Sequence, residues 1–65
     1  MELTEEMLRR KIDVFAEDLS QSDRDKIEVV YDEIIDRVYD FEETIQTVED
    51  LDYRLMKLFD EYLNE

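Results

Sequence analysis

The chain contains neither glycine nor proline. Average usage would supply roughly 7% and 5% of these two residues. Tight turns with positive φ normally recruit glycine, and β-hairpins depend on such turns. We therefore predict an all-α protein with very few turns. Because 65 residues make at most one domain, we expect residues 1–65 to form a single all-helical domain.

The residue types that normally carry chemistry or covalent stabilisation are missing from this chain. It has no cysteine and no histidine, which removes disulfides, the usual structural zinc site and the ordinary acid–base or thiol catalysts. A glycine-rich phosphate loop and the EF-hand spacing with its central glycine are also absent. We therefore expect a non-enzyme with no catalytic residue, no cofactor and no metal, stabilised by burial of its apolar residues, which make up 43% of the chain.

The chain is strongly acidic, with 21 Asp and Glu against 8 Lys and Arg and a net charge of −13. That charge repels nucleic acid phosphates and anionic lipid headgroups. No apolar run approaches the roughly 18 residues of a membrane span, and the N-terminal sequence lacks a secretory pattern. We expect a cytoplasmic protein without direct nucleic acid or membrane binding, whose partner is a protein with a basic surface.

The first apolar stripe predicts a helix over about residues 5–20. Its spacings of 4, 3 and 4 place the apolar positions within about 60° of one another on one helix face. These positions are Leu8, Ile12, Phe15 and Leu19. Thr4 is a candidate N-cap. Ser22 is a candidate N-cap for a second helix from residue 23, and the short connection favours an antiparallel pair.

A second apolar stripe has the heptad spacing of a coiled coil or bundle. It consists of Ile27, Tyr31, Ile34, Val38, Phe41, Ile45 and Val48, and it resumes as Leu51, Leu55, Leu58 and Tyr62. Between Ile45 and Leu51 two spacings of three follow one another. The direction of the stripe rotates there around the helix axis by roughly 70° in one heptad. A heptad stripe on an ideal helix rotates by only about 20°.

Two structures explain this shift. One is a local overwinding inside a single helix from residue 23 to about 63. The other is a break near residues 45–48, with Thr47 and Asp50 as a capping box, which gives a monomeric three-helix bundle. The stretch offers no glycine, asparagine or proline for a turn, and Ile45 and Val48 are β-branched. We therefore favour a helical hairpin with a short first helix and a long second helix.

The long helix predicts a dimer. At 1.5 Å per residue it would span roughly 60 Å, against roughly 24 Å for the first helix. Its second half would expose an apolar surface, here called the C-terminal seam: Leu51, Leu55, Leu58, Phe59 and Tyr62. An exposed patch of that kind pairs with its copy or with a partner helix. We expect a homodimer that forms a bundle.

Four acids spaced four residues apart form an acidic ridge: Glu28, Asp32, Asp36 and Asp40. Their carboxylates are about 6 Å apart along a helix axis. Successive phosphates on a DNA strand rise about 3.4 Å, so the ridge matches roughly every second phosphate. Tyr39 lies beside the ridge in sequence and is a candidate aromatic anchor for a partner.

In its small size, acidity and helix-only pattern the chain resembles phage-encoded inhibitors that occlude nucleic-acid-binding proteins. The resemblance is one of overall character and implies docking on a basic surface by mimicry of the phosphate backbone. Two alternatives stay open. The ridge is equally consistent with a solvated face that serves solubility or salt adaptation. The chain is also consistent with a self-assembling structural or chaperone-like module that holds a partner helix through the C-terminal seam.

Overall fold

The computed structural model describes residues 2–64, which form helices and connecting turns with no β-strand among them. The all-α prediction is confirmed. The elements are α1 (Glu5–Ala16), α2 (Gln21–Val29), α3 (Tyr31–Asp40), a 3₁₀ helix (Glu42–Thr44) and α4 (Val48–Leu63).

Helix α1 begins where the sequence predicts. The hydroxyl of Thr4 accepts a hydrogen bond of 3.1 Å from the backbone N–H of Met7, as an N-cap should. The helix ends at Ala16 rather than Ser20. The Arg24 side chain donates to the carbonyls of Ala16 and Glu17 at 3.0 and 2.7 Å. These bonds satisfy carbonyl groups that the end of a helix leaves without partners.

Helix α2 begins two residues before the predicted start. Ser20, not Ser22, is the N-cap, and its hydroxyl accepts from the backbone N–H of Asp23 at 3.3 Å. Helix α2 is separated from α3 by Val30 alone, with φ −104° and ψ 14°. Two adjacent β-branched residues, Val29 and Val30, have low helix propensity and weaken the helix there.

A turn over residues 41–47 contradicts the predicted continuous helix. Helix α3 ends at Asp40, and the backbone becomes extended at Ile45 and again at Thr47 before α4 begins. The break overlaps residues 45–48, where the alternative prediction placed it, but α3 ends at Asp40 rather than near residue 45. None of residues 2–64 has a positive φ. The turn therefore needs no left-handed residue, and the lack of glycine does not prevent it.

A capping box fixes the start of α4. The Thr47 hydroxyl accepts from the backbone N–H of Asp50 at 3.1 Å. The Asp50 carboxylate accepts from the backbone N–H groups of Thr47 and Gln46 at 3.2 and 3.1 Å. This reciprocal arrangement satisfies donors that the first turn of α4 would otherwise leave free.

The turn folds α4 back against the other helices, so the C-terminal seam lies inside the chain. Leu51, Leu55, Leu58 and Phe59 are buried and Tyr62 is half-buried. Ile45 is buried in the same core, which explains an apolar β-branched residue within a turn. The largest dimension of the molecule is 32 Å, about half the span of the predicted long helix. The prediction that the seam lacks a cover within the chain is therefore wrong.

Side-chain contacts show how the helices run. Lys11 forms a 2.8 Å salt bridge to Asp52, and further along both helices Phe15 packs edge-on against Phe59. Helices α1 and α4 are therefore parallel. Contacts of Arg37 with Glu61 and of Phe41 with Arg54 show that α3 is antiparallel to α4. Among the helices formed by residues 2–64, none combines the length and apolar character needed to cross a bilayer.

Replacing Thr47 by alanine tests the break directly. Loss of the cap should cost about 1 kcal/mol, which lowers Tm by roughly 4–8 °C for a domain of this size. Calorimetry should show no such drop for Gln46→Ala, because Gln46 contributes its backbone N–H to the box. In a continuous helix the Thr47 change would instead raise Tm, because alanine is the better helix former.

Neighbouring residues of α4 test the assignment of the core. Leu55 is 0% exposed and Met56 is 58% exposed. Leu55→Asp buries an unpaired charge and should unfold a chain of this size, whereas Met56→Asp should change the free energy of unfolding by about 0.5 kcal/mol or less. Thermal melts followed by circular dichroism measure both. Equal midpoints for the two variants would show that this face of α4 is not the core.

Candidate protein-docking site

The structure brings three of the four predicted ridge acids together. Asp32, Asp36 and Asp40 are exposed on one face of α3 and keep the spacing of four residues. We call these three residues the acidic row; it rises about 6 Å from one residue to the next. Glu28 is also exposed, but it belongs to α2 beyond the interruption at Val30. The four residues do not form one uninterrupted helical ridge.

No Lys or Arg within residues 2–64 forms a salt bridge with the acidic row. Arg37 is the base within α3, and it is directed to α4. It lies 3.2 Å from the Glu61 carboxylate and donates to the Tyr62 hydroxyl at 3.3 Å. The row therefore carries three carboxylates that no base of its own helix neutralises.

Most of the other bases are also engaged inside the chain. Arg9 and Arg10 pair with the acids four residues before them at 2.8 and 2.7 Å, and Lys11 pairs with Asp52. The Arg54 guanidinium lies 3.8 Å from the ring centroid of Phe41. Lys57 lies over the Tyr53 ring, and Arg24 caps α1. Because these Arg and Lys side chains are engaged within the chain and are outnumbered by Asp and Glu, many carboxylates face solvent without a cationic partner within residues 2–64.

The titratable groups with shifted pKa values are not switches near neutral pH. Hydrogen bonds to Tyr62 and Glu61 raise the pKa of Arg37 above its already high ordinary value. The hydrogen bond to Glu5 raises the pKa of Arg9, and burial raises that of Tyr31. Each of these shifts moves a titration further from pH 7, so these groups keep their charge state around neutrality.

Tyr39 is less exposed than the sequence suggests. It is half-buried and packs against the apolar core. Its remaining surface lines a shallow depression at the end of the acidic row, together with Asp40, Glu42 and Glu43. The 3₁₀ helix at Glu42–Thr44 thus extends the acidic surface beyond α3. This extension depends on the turn, which the favoured long-helix prediction did not contain.

The C-terminal seam is covered in the folded chain except for part of Tyr62. Its leucines and Phe59 are buried, and the Tyr62 hydroxyl accepts the hydrogen bond from Arg37. The residues predicted to contact a second copy or a partner helix thus contact the chain itself. Within residues 2–64, carboxylates outnumber cationic groups among the exposed charged side chains.

Comparison with known proteins gives no match: no protein-family model, curated protein or solved structure is significantly similar to this chain. Across residues 2–64, no three acidic side chains converge in an arrangement that could hold a metal ion.

Proposed function

We propose that the protein is a non-enzymatic inhibitor or adaptor that docks its acidic row on a basic surface of a partner protein. The observation that supports this is the exposure of Asp32, Asp36 and Asp40 on one helix face without a salt bridge to any described base. Such carboxylates are free to meet cations from outside. We further propose that the protein acts in the cytoplasm.

The geometry favours a partner that normally binds nucleic acid. Aspartate is short, so a carboxylate on a helix loses little side-chain freedom when it binds. The row spans roughly 12 Å with a repeat of about 6 Å, close to twice the phosphate rise of about 3.4 Å along a duplex strand. A groove of Arg and Lys shaped for a phosphate backbone would accept this row. Bound there, the protein would exclude the nucleic acid.

Net charge contributes mainly to the rate of encounter. A protein with charge −13 is steered toward a basic groove, and this raises the association rate at low ionic strength. Exposed ion pairs are individually worth under about 1 kcal/mol. The affinity therefore depends on several carboxylates acting together on a rigid helix.

The alternative function as a structural or chaperone-like module lacks a comparable surface. It needs the C-terminal seam to be open to a partner helix, and the folded chain buries that seam. The predicted homodimer relied on the same surface. It stays a prediction, and a dimer of the folded chain would have to use other residues.

Neutralising the acidic row tests the proposal. The variant Asp32→Asn, Asp36→Asn, Asp40→Asn keeps side-chain size and removes three charges. We expect it to lower affinity for the partner by one to two decades, about 1.4–2.8 kcal/mol, mostly through slower association. The partner is first recovered by pull-down from host lysate with elution by rising salt, and is then titrated calorimetrically at two salt concentrations.

A matched control separates the row from net charge. The variant Glu17→Gln, Asp18→Asn, Asp25→Asn removes the same charge from exposed positions near the connection between α1 and α2. It should lose much less affinity. A short DNA duplex should compete with the wild type for the partner. Equal losses for the two variants, or simultaneous binding of duplex and protein, would contradict mimicry by the row.

A further inference from the structure

A second surface lies on the outer side of the α1–α4 pair. Lys11 and Asp52 face each other across these parallel helices, and Phe15 contacts Phe59 further along. These two contacts fix the register of the parallel helices. In this register Met7 lies at the same height along the helix axes as Val48, and Val14 lies at the same height as Met56. We call these residues the outer groove: Met7, Lys11 and Val14 of α1 with Val48, Asp52 and Met56 of α4.

The groove faces away from the other helices. On α1 the opposite flank carries Arg9, which lies over Tyr31 of α3. On α4 the opposite flank carries Arg54, which lies over Phe41. Val14, three residues after Lys11, therefore continues the outward side of α1. Met56 continues the outward side of α4 in the same way, four residues after Asp52.

Apolar residues are concentrated at this groove. Five large apolar side chains within residues 2–64 are markedly exposed: Val14, Val29, Val48, Tyr53 and Met56. Three of them line the groove, with exposures of 56% for Val14, 50% for Val48 and 58% for Met56. A surface depression of ≈ 480 Å³ borders the groove on the α1 side, and its described lining, which includes Met7, Arg10 and Val14, comes from α1 and Thr4. Met is unbranched and adapts to varied partner surfaces.

The groove thus has three levels. An apolar level at Met7 and Val48 comes first, an ionic level at Lys11 and Asp52 follows, and a second apolar level is formed by Val14 and Met56. The levels lie about one helical turn apart. Apolar anchors spaced in this way suit the face of an amphipathic helix laid along the groove.

Charge identifies the occupant. Glu49, Tyr53, Met56 and Asp60 follow spacings of 4, 3 and 4, so both acids border the groove on the α4 side. Both are exposed and neither forms a salt bridge within the described chain. A second copy would bring a further charge of −13 against this acidic edge. A helix with basic residues beside its apolar stripe complements both features.

We propose that the outer groove binds a basic amphipathic helix of a partner protein. This surface is separate from the acidic row, so the protein has two docking faces and can bridge or clamp a partner. The apolar contacts supply specificity for a patterned helix, because charge attraction alone does not distinguish a patterned basic helix from an unpatterned one.

The probe is a synthetic Leu/Lys peptide of roughly 18 residues, long enough to form a helix on binding, with its leucines on one helical face. A scrambled peptide of identical composition controls for charge. Calorimetry on the full chain should show the patterned peptide binding about tenfold more tightly than the scrambled one. In amide spectra, the patterned peptide should shift signals of the outer groove more than those of the acidic row.

Variants separate this proposal from that for the acidic row. The double variant Val14→Ser, Met56→Ser should lower the affinity for the patterned peptide about tenfold. The patterned and scrambled peptides should then bind with similar affinity. The control Val29→Ser, at an 86% exposed position outside the groove, should change affinity less than about twofold. Neutralising the acidic row should lower the affinity for both peptides by the same factor, so the ratio of the two affinities should stay unchanged.

Three results would overturn the proposal. One is equal affinity of the two peptides for the wild type, because charge attraction would then account for all of the binding. Another is a spectral map centred on the acidic row. The third is a dimeric wild type that becomes monomeric, by light scattering, when Val14 and Met56 are replaced by serine, because a second copy would then occupy the groove.

Discussion

The capping box of Thr47 and Asp50 is the interaction on which the rest of the structure depends. It fixes the start of α4 after an extended segment, so the chain reverses after α3 instead of continuing as one helix. The reversal places Leu51, Leu55 and Leu58 in the core. Without it, half of the apolar surface would need a second chain. The cap contributes about 1 kcal/mol, and burial of Ile45 and of these leucines adds to the stability of the reversed chain.

Much of the local structure could be predicted from the sequence. The Thr4 cap, the apolar stripe of α1 and the acidic spacing along α3 are encoded by residues three or four positions apart. The sequence favours a continuous helix through residues 41–47, because this stretch offers no glycine, asparagine or proline for a turn. The structure makes that turn with negative φ throughout residues 2–64, and the buried Ile45 side chain stabilises it through the core. Such a tertiary contact has no signature in local sequence.

The distribution of charge was predictable only in part. The i, i+4 spacing of Glu5 with Arg9 is visible in the sequence. The pairs Lys11–Asp52 and Arg37–Glu61, and the position of Arg54 over Phe41, join distant parts of the chain. These contacts engage the bases and leave the acidic row without a salt bridge among residues 2–64. The interruption at Val30, which separates Glu28 from that row, coincides with the β-branched pair Val29 and Val30.

The chain completes its own core by folding back at residues 41–47. Small-angle scattering with light scattering in the same column run tests it most directly. We expect a particle of about 8 kDa with a radius of gyration close to the 11.2 Å of the Cα atoms. A rod-like particle of twice that mass, with a length near the roughly 60 Å of an unbroken second helix, would contradict it.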